Sequence, residues 1–488
     1  MHNVAPQVDL QSAARQIMEE HGFQPDFTPA VEQQLSEILN GAGADSPLPG
    51  LRDLRSLLWS SIDNDSSRDL DQIEVAERLP DGKIKVLVGV ADVDCVVPEG
   101  CPIDQHAAVE GTTVYTGVKN FSMLPEELST GLTSLLENAD RRALIIEFVV
   151  ARDGSLAQSD VYAALVRNRA QLTYSAIGRW LEGSGEAPAK VNSSPDLQAQ
   201  LRLQDECAQT LKKAREARGA LNIDTIEVRP LLVNEKIADL VQDQKNRATE
   251  LIEDFMIAAN EAVAQKLETV SSIRRVVKTP ERWDRIVALA AAHGEKLPPT
   301  PDAKALNQAL LRSKAADPDH FPDLSLTVIK LLGPGEYVLE RPGDPEQGHF
   351  GLAVQDYTHS TAPNRRYADL VTQRLLKAML SKETPPYSDA QLADIASVCT
   401  QREDAARKVE REMRKRIAAV AMSDRIGQTF DAIVTGVNEH GTFVRVLKPH
   451  VEGMLAQGQH GLDVGDRLRA KLIRTDVHRG YIDFARVD

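Results

Sequence analysis

The sequence predicts an α+β protein of several domains, with an N-terminal helical segment, a large α+β domain and a small C-terminal β-barrel. Three observations support this order. Two capped helical patterns lie near the N-terminus, apolar strands alternate with long helical patterns in the middle, and short strands with glycine turns follow. The predicted boundaries are 1–50, 51–424 and 425–488.

The N-terminal segment carries start signals for two helices. Asp9 can cap a first helix over residues 10–20, and Thr28, which proline follows, can cap a second helix over residues 29–39. Such a pair is either a helix-turn-helix module that binds nucleic acid or a helical hairpin packed on the next domain. Residues 41–50, rich in Gly, Ala and Pro, are typical of a linker.

The middle of the chain mixes the two kinds of secondary structure. Asp81-Gly82 is a hairpin signal between two apolar strands, and residues 144–151 and 161–166 favour further strands. Five long patterns favour helices, over residues 195–218, 244–268, 302–316, 364–382 and 388–423.

The C-terminal part changes character. Strand patterns recur at short spacing with glycine turns between them, which is typical of a small barrel. We expect its strands within residues 426–437, 440–446, 451–455, 464–472 and 481–484.

Composition limits the class of protein. A hydrophobic content of 42% supports a real core, no apolar run reaches the ~18–20 residues of a membrane span, and the four cysteines are scattered. Met1–Pro6 lacks the start of a secretory signal, so we expect a cytoplasmic protein with no membrane association. A net charge of −15 disfavours non-specific coating of nucleic acid but leaves room for an enzyme with a locally basic channel.

One short stretch is unusually acidic. Asp63, Asp65, Asp69 and Asp71 follow an apolar run, and their shared parity would put them on one side of an extended chain. Because crowded carboxylates need a compensating cation when they are buried, we expect a metal among them. Oxygen ligands without nearby His or Cys indicate Mg²⁺, Mn²⁺ or Ca²⁺.

Three interpretations of this stretch compete. It is a solvated acidic loop, a calcium loop of the EF-hand type, or the metal site of a phosphodiesterase. Asp63 to Glu74 has the ligand spacing of an EF-hand, but Arg68 stands where the sharp turn requires glycine, and the chain that follows alternates like a strand.

Further motifs carry a family resemblance. Thr361-Ala362-Pro363-Asn364-Arg365-Arg366-Tyr367-Ala368-Asp369-Leu370 resembles T-S-P-I-R-[RK]-Y-x-D-L, Val90–Val93 resembles I-A-D-V, and Met123–Pro125 resembles M-L-P. Together with the aspartates they resemble the RNB catalytic domain of ribonuclease II, ribonuclease R and the exosome nuclease. Residues 426–488 resemble the OB-fold RNA-binding module that repeats in the largest small-subunit ribosomal protein.

The resemblance implies an activity. Members are processive 3′-to-5′ hydrolytic exoribonucleases that degrade single-stranded RNA to nucleoside 5′-monophosphates. The implied cofactor is Mg²⁺, with Mn²⁺ as a substitute, one ion bound by the protein and a second arriving with the substrate. The implied partner is the 3′ end of single-stranded RNA, and we expect a monomer.

The resemblance also implies site residues. The acidic motif falls on Asp63, Asp69, Asp71 and Gln72, where the last position departs from the aspartate of well-studied members. The first three, with Arg365 as a phosphate clamp, are the implied catalytic residues, and all four motif positions are the implied metal ligands. The implied RNA-contacting residues are Tyr115, Arg365, Glu410, Glu253, His440 and Phe443. Asp65 is a candidate to compensate for Gln72, and we expect Asp92 to be structural.

Two departures from the family pattern matter for function. Gln72 and the EF-hand-like spacing keep open an alternative, a catalytically weak RNA-binding or calcium-binding protein. The N-terminal cold-shock barrels of relatives are replaced by the short helical segment, so we expect a wider channel mouth. Such a mouth would favour digestion into structured RNA from a 3′ overhang.

Overall fold

The computed structural model describes most of the chain. It covers residues 9–41, 50–233, 236–243, 245–345 and 347–487. Residues 1–8 and most of the predicted linker, residues 42–49, lie outside these ranges. Within the described ranges, no helix is both long and apolar enough to cross a membrane.

The N-terminal segment forms the two predicted helices. They are α1 (Leu10–Glu20) and α2 (Pro29–Leu39). The Asp9 carboxylate accepts the backbone N–H groups of the first turn of α1, and the Thr28 hydroxyl caps α2. Met18 of α1 is fully buried in one cluster with Met413 of the helix over residues 389–423. The two helices therefore pack on the next domain, α1 against the helix over residues 389–423 and α2 against the helix over residues 102–110, and the helix-turn-helix interpretation stays a prediction.

A seven-stranded sheet forms the centre of the large domain. Its strand order is β1-β8-β7-β4-β3-β2-β9, antiparallel except for the parallel β1–β8 and β2–β9 pairs. The elements of this half are β1 (Arg52–Asp53), β2 (Ser60–Asp63), β3 (Gln72–Arg78), β4 (Ile84–Ala91), α3 (Pro102–Glu110), β5 (Val114–Tyr115), β6 (Asn120–Phe121), a π-helical turn (Glu127–Leu132), β7 (Asp140–Val150), β8 (Leu156–Arg167) and β9 (Ala170–Thr173).

Helices cover this sheet and extend beyond it. The following elements are α4 (Tyr174–Leu181), α5 (Ala189–Asn192), α6 (Pro195–Arg218), β10 (Glu227–Val233), β11 (Lys236–Asp243), α7 (Arg247–Lys266), β12 (Ser272–Val276), α8 (Trp283–Ala292), α9 (Ala303–Ala316), α10 (Phe321–Leu332), β13 (Glu336–Glu340), a 3₁₀ turn (Phe350–Leu352), α11 (Tyr367–Ser381) and α12 (Asp389–Ser423). Phe148 of β7 meets Phe255 of α7 edge to face at 6.2 Å between ring centroids. The pattern over residues 244–268 thus corresponds to α7, which buries an apolar side against the sheet.

Helix α11 is fixed against the end of β4. Its Gln373 donates to the Ala91 carbonyl at 2.8 Å, and its Arg374 pairs with Asp94 at 2.9 Å. Lys377 pairs with Asp92 at 2.9 Å, which gives Asp92 the structural role that the sequence predicted. This docking positions the loop that precedes α11.

The C-terminal residues form the predicted five-stranded barrel. Its closed order is β14-β15-β16-β18-β17, and α10 is tied to it by the pair Arg445–Asp323 at 2.8 Å. Its strands are β14 (Thr429–Asn438), β15 (Gly441–Leu447), β16 (His450–Gln457), β17 (Arg467–Asp476) and β18 (Tyr481–Arg486). The α+β architecture with N-terminal helices and an OB-fold barrel is confirmed.

The acidic stretch does not have the predicted extended conformation. β2 ends at Asp63 and β3 begins at Gln72, so the residues between them form a loop. The argument from odd-numbered positions is therefore wrong, because strand alternation does not apply in a loop. Strands also flank the stretch where an EF-hand requires helices.

Candidate active site

The acidic loop is held by buried contacts at its far end. Leu70 is buried, its N–H donates to the Ser134 hydroxyl at 2.9 Å, and its carbonyl accepts the Leu135 N–H at 3.0 Å. The Asp71 carbonyl then accepts the Ala91 N–H at 2.9 Å, which starts the β3–β4 ladder. The loop therefore presents Asp69 and Asp71 from a fixed backbone.

Asp71 lies at the centre of the site. Its side chain is buried, and its Oδ1 accepts the backbone N–H of Asn364 at 2.9 Å. The Arg365 guanidinium donates its Nε–H to Asp71 Oδ2 at 3.2 Å. The sequence-predicted Asp71 and Arg365, which are far apart in the chain, are thus direct neighbours.

The loop that carries Arg365 is fixed from behind. Asp369 is fully buried and accepts the Ala362 N–H at 2.8 Å. The same carboxylate accepts from Nε and Nη2 of Arg366, at 2.8 and 2.7 Å. Because one carboxylate joins both ends of this turn, Arg365 is presented toward Asp71 from a rigid support.

Asp63 and Asp69 complete the acidic edge of the site. Asp63 Oδ1 accepts from the Asn64 N–H at 2.7 Å and from the Ser67 hydroxyl at 2.9 Å. Asp69 Oδ2 accepts the Tyr115 hydroxyl at 3.1 Å. The predicted stacking residue therefore lies next to a predicted metal ligand.

Tyr115 also connects the acidic loop to the long helix α12. Its backbone N–H donates to Glu410 Oε1 at 3.2 Å, and the residue is 38% exposed. The structure thus brings together Asp69, Tyr115 and Glu410, with a ring that is accessible to a ligand.

Burial controls the ionisation of the site. Burial raises the pKa of Asp71 to about 7, and repulsion by Asp69 adds to this increase. The Arg365 charge and the hydrogen bond from the Asn364 N–H act in the opposite direction. Burial also raises the pKa of Asp63, although hydrogen bonds from Asn64 and Ser67 and the Arg365 charge oppose this shift. The carboxylates are therefore under-compensated by the protein alone.

Two further members of the acidic stretch flank this centre. Asp65 is exposed and its carboxylate accepts the Ser175 hydroxyl at 2.9 Å. Gln72 directly follows Asp71 and is the first residue of β3. The proposed compensation of Gln72 by Asp65 stays a prediction, and this geometry does not favour it.

Further polar residues approach from α4 and α7. Glu253 pairs with Lys245 at 2.9 Å, at the start of α7. Burial, together with the carboxylates of Asp63 and Glu74, raises the pKa of the Tyr174 phenol, and Glu253 adds to the shift. Sequence reasoning missed Tyr174, because no local motif marks it, and it named Glu74 only as the last position of the EF-hand-like spacing.

The predicted barrel residues lie on another part of the molecule. His440 is 79% exposed in its side chain, in the turn between β14 and β15, and Phe443 lies half-buried on β15. Both belong to the barrel, which has its own core.

The site has the donor chemistry of a hard cation but is not a closed metal cage. In the described ranges, no three or more His, Cys, Asp or Glu side chains are arranged to hold an ion. Asp63, Asp69 and Asp71 offer only oxygen ligands, and the burial of Asp63 and Asp71 exceeds what Arg365 offsets. These residues therefore fit Mg²⁺ or Mn²⁺, with part of the coordination left to other ligands.

Comparison with known proteins identifies the family. The sequence profile of the RNB domain matches residues 51–382, more than half of the chain. The chain belongs to the RNB family. A profile named RNase II-type exonuclease C-terminal S1 domain matches residues 428–487 of this RNB protein.

Individual relatives agree with this assignment. Ribonuclease R of Thermotoga maritima is 30% identical over 479 residues, which cover 90% of this RNB chain and 65% of the relative. The chain thus spans less than two thirds of that relative's length.

Solved structures share the fold. The apo form of Mycoplasma genitalium RNase R superposes with a TM-score of 0.84 at 22% identity, over 98% of this chain and 78% of that one. Yeast Ssd1, described as a pseudonuclease, superposes with a TM-score of 0.70 at 17% identity, over 96% of this chain and 57% of that one. The fold is therefore common to proteins with and without nuclease activity.

Proposed function

We propose that this RNB protein is a 3′-to-5′ exoribonuclease that hydrolyses single-stranded RNA processively to nucleoside 5′-monophosphates. The observation that carries the proposal is the contact between Asp71 and the Asn364–Arg365 turn, beside Asp63 and Asp69. It joins a cation-binding carboxylate to a phosphate-binding guanidinium within one site.

The proposed reaction is hydrolysis of the terminal phosphodiester. A water oxygen forms a bond to phosphorus, the bond from phosphorus to the 3′ oxygen of the preceding nucleotide breaks, and that oxygen takes up a proton. Arg365 would hold the phosphate and stabilise the negative charge that develops on it. The backbone N–H of Asn364 and the rigid turn behind it keep the Arg365 and Asp71 side chains next to each other.

A divalent cation supplies the remaining charge. Asp63, Asp69 and Asp71 would hold Mg²⁺ or Mn²⁺, with Gln72 as a further oxygen donor and a second ion arriving with the RNA. When bound, the cation neutralises the phosphate and acidifies the attacking water.

Aromatic and acidic side chains would hold the strand. Tyr115 would stack on a terminal base, because its ring is accessible and its hydroxyl is fixed by Asp69. We assign ribose and backbone contacts to Glu410 and Glu253, and base stacking on the barrel to His440 and Phe443. The proposed enzyme is a cytoplasmic monomer whose partner is the 3′ end of RNA.

A second function, RNA binding or calcium binding with little catalysis, has one specific observation in its favour. Gln72 is neutral where well-studied members have an aspartate, which removes one negative charge from the metal ligands. Retention of Asp71, Arg365 and the turn between them favours the nuclease.

Labelled single-stranded RNA tests the proposal. Purified protein with Mg²⁺ or Mn²⁺ should shorten RNA with a free 3′ hydroxyl and should leave RNA with a blocked 3′ end intact. Binding of both RNAs without shortening of the free one, in every divalent ion tried, would favour the second function. A matched Arg365→Ala variant should bind RNA and cleave it far more slowly.

A further inference from the structure

One side of the long helix α12 is cationic. Over residues 407–415, the exposed residues of α12 are all basic: Arg407, Lys408, Arg411, Arg414 and Lys415. Residues three and four positions apart are neighbours on a helix, so Arg411, Arg414 and Lys415 lie together. These five exposed residues form the cationic face of α12.

The acidic residues of the same helix are engaged elsewhere. Glu410 accepts the backbone N–H of Tyr115 at 3.2 Å, in the candidate site. Glu412 contacts His21, after α1, at 3.0 Å. Arg407 pairs with two acidic residues of the preceding turn, so this end of the cationic face is compensated.

The rest of the cationic face is not compensated. Among the side chains that the structure describes, no carboxylate forms an ion pair with Lys408, Arg411, Arg414 or Lys415. Like charges at this spacing on a helix repel each other. The whole chain has a net charge of −15, so this positive charge is local. Basic residues clustered along one face of a helix are typical of a surface that binds nucleic acid.

The cationic face lies between the candidate site and the barrel. At one end, Arg414 lies one helical turn beyond Glu410, which contacts the candidate site. At the other end, Lys415 lies one turn before Ala419, which is buried in the core cluster of the barrel. Gly480, between β17 and β18, packs on this end, because a Cβ atom added to it would lie 2.8 Å from the Lys415 Cβ atom.

We propose that the cationic face of α12 binds the phosphates of single-stranded RNA between the candidate site and the barrel, through Arg411, Arg414 and Lys415. This inference rests on the proposed function, because it concerns the part of the strand that precedes the bound 3′ end. Arginine and lysine are common ligands of RNA phosphates and fix the position of a strand without reading its sequence. Tyr481, which follows Gly480, is 53% exposed, so an aromatic residue suited to base stacking lies at the barrel end of the face.

The salt dependence of RNA binding tests this inference without cleavage. Fluorescence anisotropy in EDTA would give the affinity for a labelled RNA of about 20 nucleotides, longer than the about 4–16 nucleotides that an OB-fold binds. In the triple variant R411Q/R414Q/K415Q, affinity in about 0.1 M salt should fall by roughly 10-fold or more. The slope of the logarithm of the binding constant against the logarithm of salt concentration should decrease by about 2, because each phosphate contact contributes about 0.7.

A variant with the same change in net charge is the matched control. R285Q/K304Q/K330Q removes one exposed basic residue from each of α8, α9 and α10, and these residues form no ion pair among the described side chains. This control should keep the wild-type slope. An equal decrease of the slope in both triple variants would show an effect of net charge alone and would overturn the proposal. A wild-type slope in R411Q/R414Q/K415Q would also overturn it and would leave an acidic protein as the partner of this face.

A single substitution covers the case in which the triple variant does not fold, as judged by circular dichroism. Arg411→Gln alone should decrease the slope by about 0.7, and an unchanged slope would overturn the proposal. The binding data are separate from the proposed function. A decreased slope in a protein that never shortens RNA would support the cationic face and contradict the nuclease. RNA shortening together with a wild-type slope in the variants would support the nuclease and contradict the cationic face.

Discussion

At the scale of single residues, Asp71 is the group on which the proposed chemistry most depends. Burial raises its pKa to about 7, so the metal-free fold resists its ionisation. A carboxyl whose pKa is higher in the folded than in the unfolded state contributes stability that is lost as pH rises through this window. Catalytic competence and stability therefore oppose each other at this position.

Asp71→Asn should separate these two effects. Turnover should fall by about 100-fold or more because the metal site loses a charged ligand, while RNA affinity should change little. In a chelating buffer at about pH 8, the free energy of unfolding should rise by about 1–2 kcal/mol, and at about pH 4 the gain should vanish. Urea unfolding at both pH values and RNA cleavage time courses measure this. Equal destabilisation of the Asp71→Asn variant at both pH values would contradict the raised pKa of Asp71.

Sequence reasoning identified the residues of this site that belong to motifs. Asp63, Asp69 and Asp71 were found because such a dense run of aspartates is chemically unusual, and Arg365 because its motif resembles one of the RNB domain. The burial of Glu74 was not predicted, because a glutamate in an alternating strand is ordinarily exposed, and here Gln204 of α6 reaches its backbone. The placement of each aspartate also required the fold, since a loop rather than a strand carries them.

At the scale of single elements, the turn that leads into β15 is the proposed RNA-stacking part of the barrel. His440 is exposed at this turn. Phe443 lies opposite Gly436, which has no side chain to cover the ring. Aromatic stacking contributes about 1–3 kcal/mol per base.

His440→Ala and Phe443→Ala should each weaken single-stranded RNA binding, by about 5-fold or more, and leave the cleavage rate on saturating RNA nearly unchanged. His460→Ala, at another exposed position of the barrel, is the control. Fluorescence anisotropy gives the affinity and single-turnover cleavage gives the rate. Wild-type affinity in both variants would move RNA binding to another surface of the barrel.

A second element predicts acid sensitivity. The Nδ1 atom of His349 accepts the Leu352 N–H at 3.2 Å and caps the 3₁₀ turn, which requires an unprotonated nitrogen. Burial, assisted by the Arg275 charge, lowers the pKa of His349 to about 4. Because the folded-state pKa is lower than the ordinary value of 6.5, stability is present above that value and is lost as pH falls toward about 4.

His349→Asn keeps an acceptor for the cap and removes the titration. Between about pH 7 and pH 5, the wild-type protein should lose about 1 kcal/mol more unfolding free energy than this variant. His293→Asn, at an exposed position, is the control and should follow the wild type. An identical pH dependence in wild type and His349→Asn would contradict the assignment.

Some elements could not be predicted because their sequence disfavours them. The β10–β11 hairpin contains Pro230, which cannot donate a backbone hydrogen bond and ordinarily argues against a strand. A two-stranded ribbon tolerates it because each strand has a free edge. The long helices and the barrel strands were predictable because their periodicity extends over many residues.

At the scale of the whole molecule, the N-terminal segment packs against the long helix α12. Phe23 follows α1 and packs under Arg402 of α12, whose guanidinium also donates to the Gly22 carbonyl at 2.8 Å. Glu410 of the same helix accepts from Tyr115 in the candidate site. The N-terminal segment thus packs on α12, the helix that also contacts Tyr115 in the candidate site.

Digestion of structured RNA should test the predicted wide mouth. A hairpin RNA with a short single-stranded 3′ overhang should be digested into its duplex, because the short helices α1 and α2 are expected to leave the channel mouth open. The time course should be compared with that of the chain without residues 1–48, after confirming that it is folded. A firm stop several nucleotides before the duplex in both proteins would contradict a wide entrance.

The most direct test of the central claim is the chemical identity of the product. RNA would be digested in water enriched in ¹⁸O with Mg²⁺, and the products would be analysed by mass spectrometry. Metal-assisted hydrolysis at the Asp71–Arg365 site predicts nucleoside 5′-monophosphates that carry one ¹⁸O atom on phosphorus, with their yield abolished in Asp71→Asn. Nucleoside 3′-phosphates, cyclic phosphates or unlabelled 5′-monophosphates would contradict it.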